Sequence, residues 1–315
     1  MTVTPGIAAP ASAPAARGAI YPFALLILAS LFWSSNWVVG RGIHEIFPPV
    51  ALSFYRWLVA ALVLAPLAIP RLKGQWHLIW RHWKLFAFLG ASGIAWPQCI
   101  TYIGLNYTTA VNGSLLTAGN PFMMVLMAWL IDRQVATRRQ LGGMVLSFLG
   151  VVVIVAHGSF ATLMRFHFNP GDLLIVVSIP LWCAYSIVLR RRPRGMDGLA
   201  FLFVLTPIGL LSLAPALAYE GFFVRIPHWS WSTLLAVIYV GVTASAAAYM
   251  LWNRGVELLG PSRAAFTLPF QPMFASLLAV LLLGEEFHAY NAIGFVVIVC
   301  GWYLSSGLRL RPAAP

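Results

Sequence analysis

Charged residues are scarce in this 315-residue chain: Asp, Glu, Lys and Arg together make up 9% of it. A water-soluble domain carries roughly a quarter, because its surface must stay solvated, so an ordinary soluble fold is excluded. Only two lysines occur, Lys73 and Lys84, and neither stands in a phosphate-binding Walker context, which leaves ATP-driven transport without a motor. Glu45, Asp132, Asp172, Asp197, Glu220, Glu257, Glu285 and Glu286 all fall at the ends of apolar runs or in loops. None supplies the mid-membrane carboxylate that a proton-driven pump uses as its relay. The motifs HExxH and GxSxG are missing, and the seven histidines sit near loops and run ends without metal-ligand spacing. Cys99, Cys183 and Cys300 are odd in number and lie inside apolar runs, which argues against a disulfide framework.

What the chain has is hydrocarbon. Apolar residues make up 60% of it, enough for roughly nine or ten crossings at about 20 residues each. Apolar stretches run near 20–40, 49–70, 84–103, 108–131, 140–156, 172–189, 199–219, 231–252, 263–283 and 289–307, with no gap long enough for a second folded domain. Runs of this length predict membrane helices; barrel strands would alternate. Residues 1–19 read as a disordered Ala/Pro/Ser-rich tail, too poor in arginine for a transit peptide.

The basic residues fix an orientation. Sixteen of the 20 Lys and Arg fall in the two tails and the connections following spans 2, 4, 6 and 8; Arg41, Arg165 and Arg225 fall on the other side, and Arg56 lies within span 2. By the positive-inside rule both termini are cytoplasmic, which requires an even number of spans. This distribution explains the net charge of +12 through loops that suit anionic lipid. They lack the aromatic interleaving of a nucleic-acid surface.

The chain also repeats itself. At an offset of 151, Asn120-Pro121 falls on Gln271-Pro272, Gly104 on Gly255, Gly143 on Gly294 and Gly150 on Gly301; at 149, Trp33 and Asn36 fall on Trp182 and Tyr185. An odd number of helices per copy predicts two inverted five-helix repeats, 20–157 and 172–307, joined by an external loop at 158–171 and followed by a tail at 308–315. Inverted repeats are a transporter architecture with the substrate site between the halves.

The segments PPVALSFYRWLVAALVLAPL, YTTAVNGSLLTAGNPFMMVLMAWLID and PSRAAFTLPFQPMFASLLAVLLLGEEFHAYNAIGFVVIVCGWYLSS resemble the EamA repeats of the drug/metabolite transporter superfamily. Within it, the ten-helix plan and the Asn- and aromatic-rich interior are most similar to the YddG-type amino-acid exporters. That resemblance implies export of aromatic and other amino acids across a bacterial inner membrane. Span 4 ends in IDRQ where span 9 has LGEE, so the acidic end motif occurs only in the second half.

Polar side chains on one helix stripe mark a candidate pathway. Trp33, Asn36, Trp37 and Gly40 share a face of span 1, and Gln98, Thr101, Tyr102 and Leu105 a face of span 3. The second stripe maps at 151 onto Tyr249, Trp252, Asn253 and Val256, while Asn112, Leu116, Gly119 and Asn120 share a face of span 4. From residue types alone these groups equally serve helix–helix hydrogen bonding and packing. The candidate substrate contacts are therefore Trp33, Asn36, Arg56, Gln98, Tyr102, Asn112, Asn120, Trp182, Tyr185, Tyr249, Trp252, Asn253 and Gln271. For Arg56 a substrate carboxylate, a backbone carbonyl and snorkelling to the nearby membrane edge all remain open. Gly119, Pro121, Pro269 and Pro272 predict hinges, with half-helices after the prolines turning their positive dipole ends towards a substrate carboxylate.

With what the resemblance implies, these features predict export of amino acids by alternating access, as uniport without ATP, with no metal or other cofactor and no nucleic-acid partner. A proton-coupled exporter of another metabolite or drug, and a membrane-embedded enzyme or lipid-binding scaffold, are the competing readings. Oligomeric state is not legible.

Overall fold

The computed structural model describes residues 16–43, 46–108, 113, 116–164, 169–283 and 286–307, and all regular structure among them is helical. Most of both expected tails, part of the 158–171 loop, and Asn112 lie outside the described residues. Helix α1 is Ala16–Ile43, α2 Pro49–Leu72 and α3 the short Trp76–Arg81. Helix α4 covers 83–105, regular over Trp83–Leu89, π-helical over Gly90–Ala95 and regular again over Trp96–Leu105. There follow α5 Asn120–Asp132, α6 Arg138–Val155, α7 Phe160–Met164, α8 Pro170–Val188 and α9 Gly198–Phe223. Helix α10 is Trp231–Leu259, with a π-helical turn at Gly241–Ala247; α11 is Pro261–Ala265, α12 Phe270–Leu283 and α13 Ala289–Ser306.

Among the described residues six helices are long and apolar enough to cross a membrane: α2, α6, α8 with its following turn, α9, α10 and α13. Leu62, Leu211, Leu281 and Val296 are exposed on the outside of the bundle, a surface that hydrocarbon solvates and water does not. Where spans 4 and 9 are expected the helices are shorter, and each begins after a turn, at 118–119 and at 266–269. Proline accompanies the breaks. Pro121 and Pro272 stand in the first turns of α5 and α12, where a missing N–H costs least, and Pro269 lies in the turn before α12, whereas Pro66, Pro70, Pro180, Pro207 and Pro215 sit inside continuous helices.

The helix starts are capped from several sources. Thr137 and Gln140 box the start of α6, Asn169 and Asp172 that of α8, and Asp197 accepts from Leu199 and Ala200 at the start of α9. Helix α2 follows Pro48, which has no side chain to offer, and the cap comes from α9 instead: the Glu220 carboxylate accepts from the Val50 and Ala51 amides at 3.0 and 2.8 Å. Glu220 thereby ties the start of α2 to the end of α9 at one end of the bundle. The opposite end is basic and carries the pairs Arg191–Asp132 and Arg192–Glu257.

Close helix approaches come in pairs that the sequence offsets interconvert. Gly143 of α6 packs on Gly301 of α13, and Gly150 packs on Gly294. Adding 151 to the α6 member of each pair and subtracting it from the α13 member turns one pair into the other. Likewise Gly104 meets Ile175 while Gly255 meets Leu26, and Gly90 meets Ile208 while Gly241 meets Val59. The two π-helical turns also start 151 residues apart, at Gly90 and Gly241.

Candidate substrate site

At the centre of these exchanged contacts Trp33 of α1 and Trp182 of α8 meet edge to face, ring centroids 5.6 Å apart. They are 149 residues apart, so the offset maps this contact onto itself. Tyr249 and Trp252 of α10 pack on Trp33 at 5.7 and 5.3 Å, Trp252 on Trp182 at 4.8 Å, and Trp57 of α2 on Tyr249 at 4.7 Å. The π-helical turns serve this cluster. A π-turn takes carbonyls out of the regular i to i−4 ladder, and two carbonyls at corresponding positions accept from site aromatics: Ala244 from the Trp33 indole at 3.1 Å and Gly93 from the Tyr249 hydroxyl at 2.8 Å. Gly93 has no room for a side chain, because a Cβ there would strike the Tyr185 ring.

Two tyrosine–asparagine pairs flank the aromatics. Tyr102 donates to Asn36 Oδ1 at 2.9 Å, and Tyr185 donates to Asn253 Oδ1 at 2.8 Å. Position 36 corresponds to 185 and position 102 to 253, so the two halves make the same bond with donor and acceptor exchanged. A third exchanged pair anchors the broken helices: Ser34 donates to the Gln271 carbonyl at 2.8 Å, and the Cys183 thiol to the Asn120 carbonyl at 3.9 Å.

Arg56 breaks the correspondence. Its counterpart is the buried Leu205, yet Arg56 itself is only 1% exposed. It donates to the Tyr102 hydroxyl at 3.2 Å and lies over the Trp57 and Tyr102 rings at 5.6 and 5.9 Å. Among the described residues it forms no ion pair. It does not snorkel: the guanidinium points into the bundle.

The structure thus brings together Trp33, Asn36, Arg56, Tyr102, Trp182, Tyr185, Tyr249, Trp252 and Asn253. Gln98 stands half-buried one turn before Tyr102. Asn120 and Gln271 sit apart, at the starts of α5 and α12, beside Gly119, Pro121, Pro269 and Pro272, and are held through their backbone carbonyls. Sequence reasoning missed Trp57, Ser34, Ser186, which accepts from the Trp252 indole at 3.2 Å, and both π-turn carbonyls. A serine or carbonyl acceptor carries no distinctive pattern, whereas Trp57 stood next to Arg56, the arginine placed within a span.

Both ends of the cluster are covered. Towards the Glu220 end, Trp229 packs on Phe47 and Tyr55, each at 5.0 Å, and the His228 amide donates to the Ile46 carbonyl. Towards the basic end lie Leu78, Met196 and Val204. None of the residues in the central cluster is Asp, Glu, His or Lys. It offers aromatic faces, neutral hydrogen-bonding groups and one fixed positive charge, a set suited to holding a small solute and without a general base.

The model of the EamA-like transporter family matches twice, over residues 21–156 and 169–307. The transporter YyaM of Bacillus subtilis is 23% identical, the alignment covering 92% of this chain and 95% of that protein. A transporter of Archaeoglobus fulgidus is 27% identical over 90% of this chain and 96% of its own length. An S-adenosylmethionine/S-adenosylhomocysteine transporter of Chlamydia muridarum is 24% identical over 88% and 89%. One solved crystal structure shares the fold with a TM-score of 0.72 at 19% identity, over 90% of this chain and 96% of the other.

Proposed function

This chain belongs to the EamA-like transporter family, and from that membership we propose that it exports amino acids, aromatic and other neutral ones included, by alternating access as a uniporter without ATP. The observation that carries the reading is the Trp33–Trp182 contact with its two flanking Tyr–Asn pairs. It combines apolar ring faces for a side chain with neutral hydrogen-bonding groups for a polar backbone, at the point where two halves of the chain meet. Trp33, Asn36, Arg56, Gln98, Tyr102, Trp182, Tyr185, Tyr249, Trp252 and Asn253 line the pathway in this proposal. Asn120 and Gln271 line the approaches, and Gly119, Pro121, Pro269 and Pro272 are the hinges. The lack of an acidic side chain in the cluster favours uniport over proton antiport. Both substrates named for the chlamydial relative carry an α-amino-acid group, which agrees with a site for that group.

The same proposal takes the chain as ten spans in two inverted five-helix halves, 20–157 and 172–307, in a bacterial inner membrane with both termini cytoplasmic. Its support is the exchange of contacts under the 149 and 151 offsets, the double family match, and the concentration of arginines at one end of the bundle. The test is efflux from living cells. Cells fed a phenylalanine-containing dipeptide accumulate free phenylalanine, and expression of this protein should speed its appearance in the medium. Trp33→Ala should abolish the gain, whereas unchanged efflux with the wild-type protein would remove the amino-acid reading.

A further inference from the structure

Buried hydrogen-bonding groups that find no partner are rare, and among the described residues most of them fall on two helices, α2 and α4. Among the described residues six lack one: Arg56 Nε, Trp57 Nε1, Gln98 Nε2, Ser92 Oγ and Ser53 Oγ on α2 and α4, and Trp302 Nε1 on α13. Arg56 and Trp57 are 1% and 0% exposed. The first three stand on packed stretches of α2 and α4: the guanidinium lies over the Trp57 ring, and its Nη1 reaches Tyr102, which follows Gln98 by one turn on α4. All three are N–H donors. A guanidinium held in a low-dielectric interior without an opposing charge is costly, and unsatisfied donors beside it add to that cost. The carboxylate that reaches α2, that of Glu220, spends both oxygens on the Val50 and Ala51 amides, about 8 Å along the helix from Arg56. It does not complete the guanidinium's hydrogen bonds.

We infer that Arg56, Trp57 and Gln98 form a seat for one carboxylate of the transported solute. The inference rests on the transport reading above and sharpens it to a class: monocarboxylates with an apolar side chain. Guanidinium and indole N–H groups suit the two oxygens of a carboxylate, and charge-assisted bonds are the strong ones. The remainder of such a solute falls towards Tyr249, which packs on Trp57, and the Trp33–Trp182 centre. The seat is single. The positions corresponding to Arg56 and Trp57 are Leu205, fully buried, and Thr206, whose hydroxyl already bonds the Phe203 carbonyl. Cargo therefore binds with one polarity, and a second carboxylate, as in aspartate or glutamate, has no seat.

The test uses the full chain purified in detergent, with thermal unfolding as the binding readout, and counterflow in proteoliposomes as the transport readout. The probes are phenylalanine, 3-phenylpropanoate, phenylalaninamide and phenethylamine. The two carboxylates should stabilise the protein and compete with labelled phenylalanine, and the amide and the amine should do so at least tenfold more weakly. Arg56→Gln should weaken carboxylate binding about ten- to hundredfold, the range of a lost charge-assisted bond, and close the gap between acid and amide. Trp57→Phe keeps the ring and removes the N–H; it should weaken carboxylates severalfold and leave the amide unchanged, and it serves if Arg56→Gln does not fold. An acid-to-amide gap that survives both substitutions would overturn the seat even with transport intact. So would full stabilisation by chloride, measured against methanesulfonate at equal ionic strength, because an inorganic anion would then be the occupant. Arg56-dependent binding of 3-phenylpropanoate without phenylalanine flux would keep the seat and sink the amino-acid reading instead.

Discussion

The two Tyr–Asn pairs provide a matched experiment within one molecule. Tyr102 and Tyr185 make the same bond to an asparagine, at 2.9 and 2.8 Å, but Tyr102 also accepts from Arg56. Replacing Tyr185 by Phe removes one neutral bond, worth about 0.6–1 kcal/mol in a membrane interior. Replacing Tyr102 by Phe removes a comparable bond and an acceptor for a buried cation, the latter worth about 1.5–3 kcal/mol. The expected losses are thus about 1 kcal/mol for Tyr185→Phe and about 2–4 kcal/mol for Tyr102→Phe. Unfolding of the purified protein in detergent, titrated with SDS and followed by tryptophan fluorescence, measures both. Double-mutant cycles with Asn36→Ala and Asn253→Ala isolate the pair terms, which should agree with each other to within about 0.5 kcal/mol. Equal losses in the two tyrosine variants would refute the reasoning, because Arg56 would then draw nothing from Tyr102.

Three further expectations follow from the helix contacts, the breaks and the charge distribution. A Cβ on Gly143 would lie 2.5 Å from the Gly301 carbonyl and 2.6 Å from the Ser305 amide, whereas one on Gly142 meets only a Leu304 methyl at 4.0 Å. Gly143→Ala should therefore cost about 1–3 kcal/mol and Gly142→Ala almost nothing in the same unfolding assay. Pro121→Ala and Pro272→Ala should leave the protein folded and able to bind, yet slow exchange flux severalfold, and wild-type flux in both would argue that the breaks shape packing alone. In a cysteine-free background, Ser159→Cys should react with an impermeant thiol reagent in intact cells and Gly195→Cys should not, the reverse result overturning the proposed orientation.

Much of the central cluster could be read from the chain because the two halves carry related residues at offsets of 149 and 151. Trp33 with Trp182, Asn36 with Tyr185, and Tyr102 with Asn253 stood out by their spacing on helix faces, and the structure brings all six together. The broken helices were also legible, because Asn120-Pro121 and Gln271-Pro272 recur at one offset and mark where α5 and α12 begin, whereas Pro66, Pro70, Pro180, Pro207 and Pro215 lie inside continuous helices. The π-helical turns were not. Pro97 follows one of them, but Gly241–Ala247 has no proline after it, and the Gly93 and Ala244 carbonyls are aimed by backbone geometry that no side-chain pattern encodes. Glu220 read as an acid at a helix end; its work as the cap of α2 depends on Pro48 leaving that start bare and on α9 ending beside it, a tertiary fact. The unpartnered donors around Arg56 likewise exist only once α2 and α4 are packed. The helix α3, where a polar connection was expected, draws its turn from Trp76, Leu78, Ile79 and Trp80, residues that suit a membrane interface.

Counterflow in proteoliposomes tests the central claim most directly. Vesicles containing the purified full chain, loaded with unlabelled phenylalanine and diluted into trace labelled phenylalanine, should show a transient accumulation of label. Its size should be the same whether the pH is equal across the membrane or differs by two units, and it should be absent from vesicles carrying Trp33→Ala. Accumulation that requires the pH gradient would contradict uniport, and no accumulation of phenylalanine or any other neutral amino acid would contradict the account of the site itself.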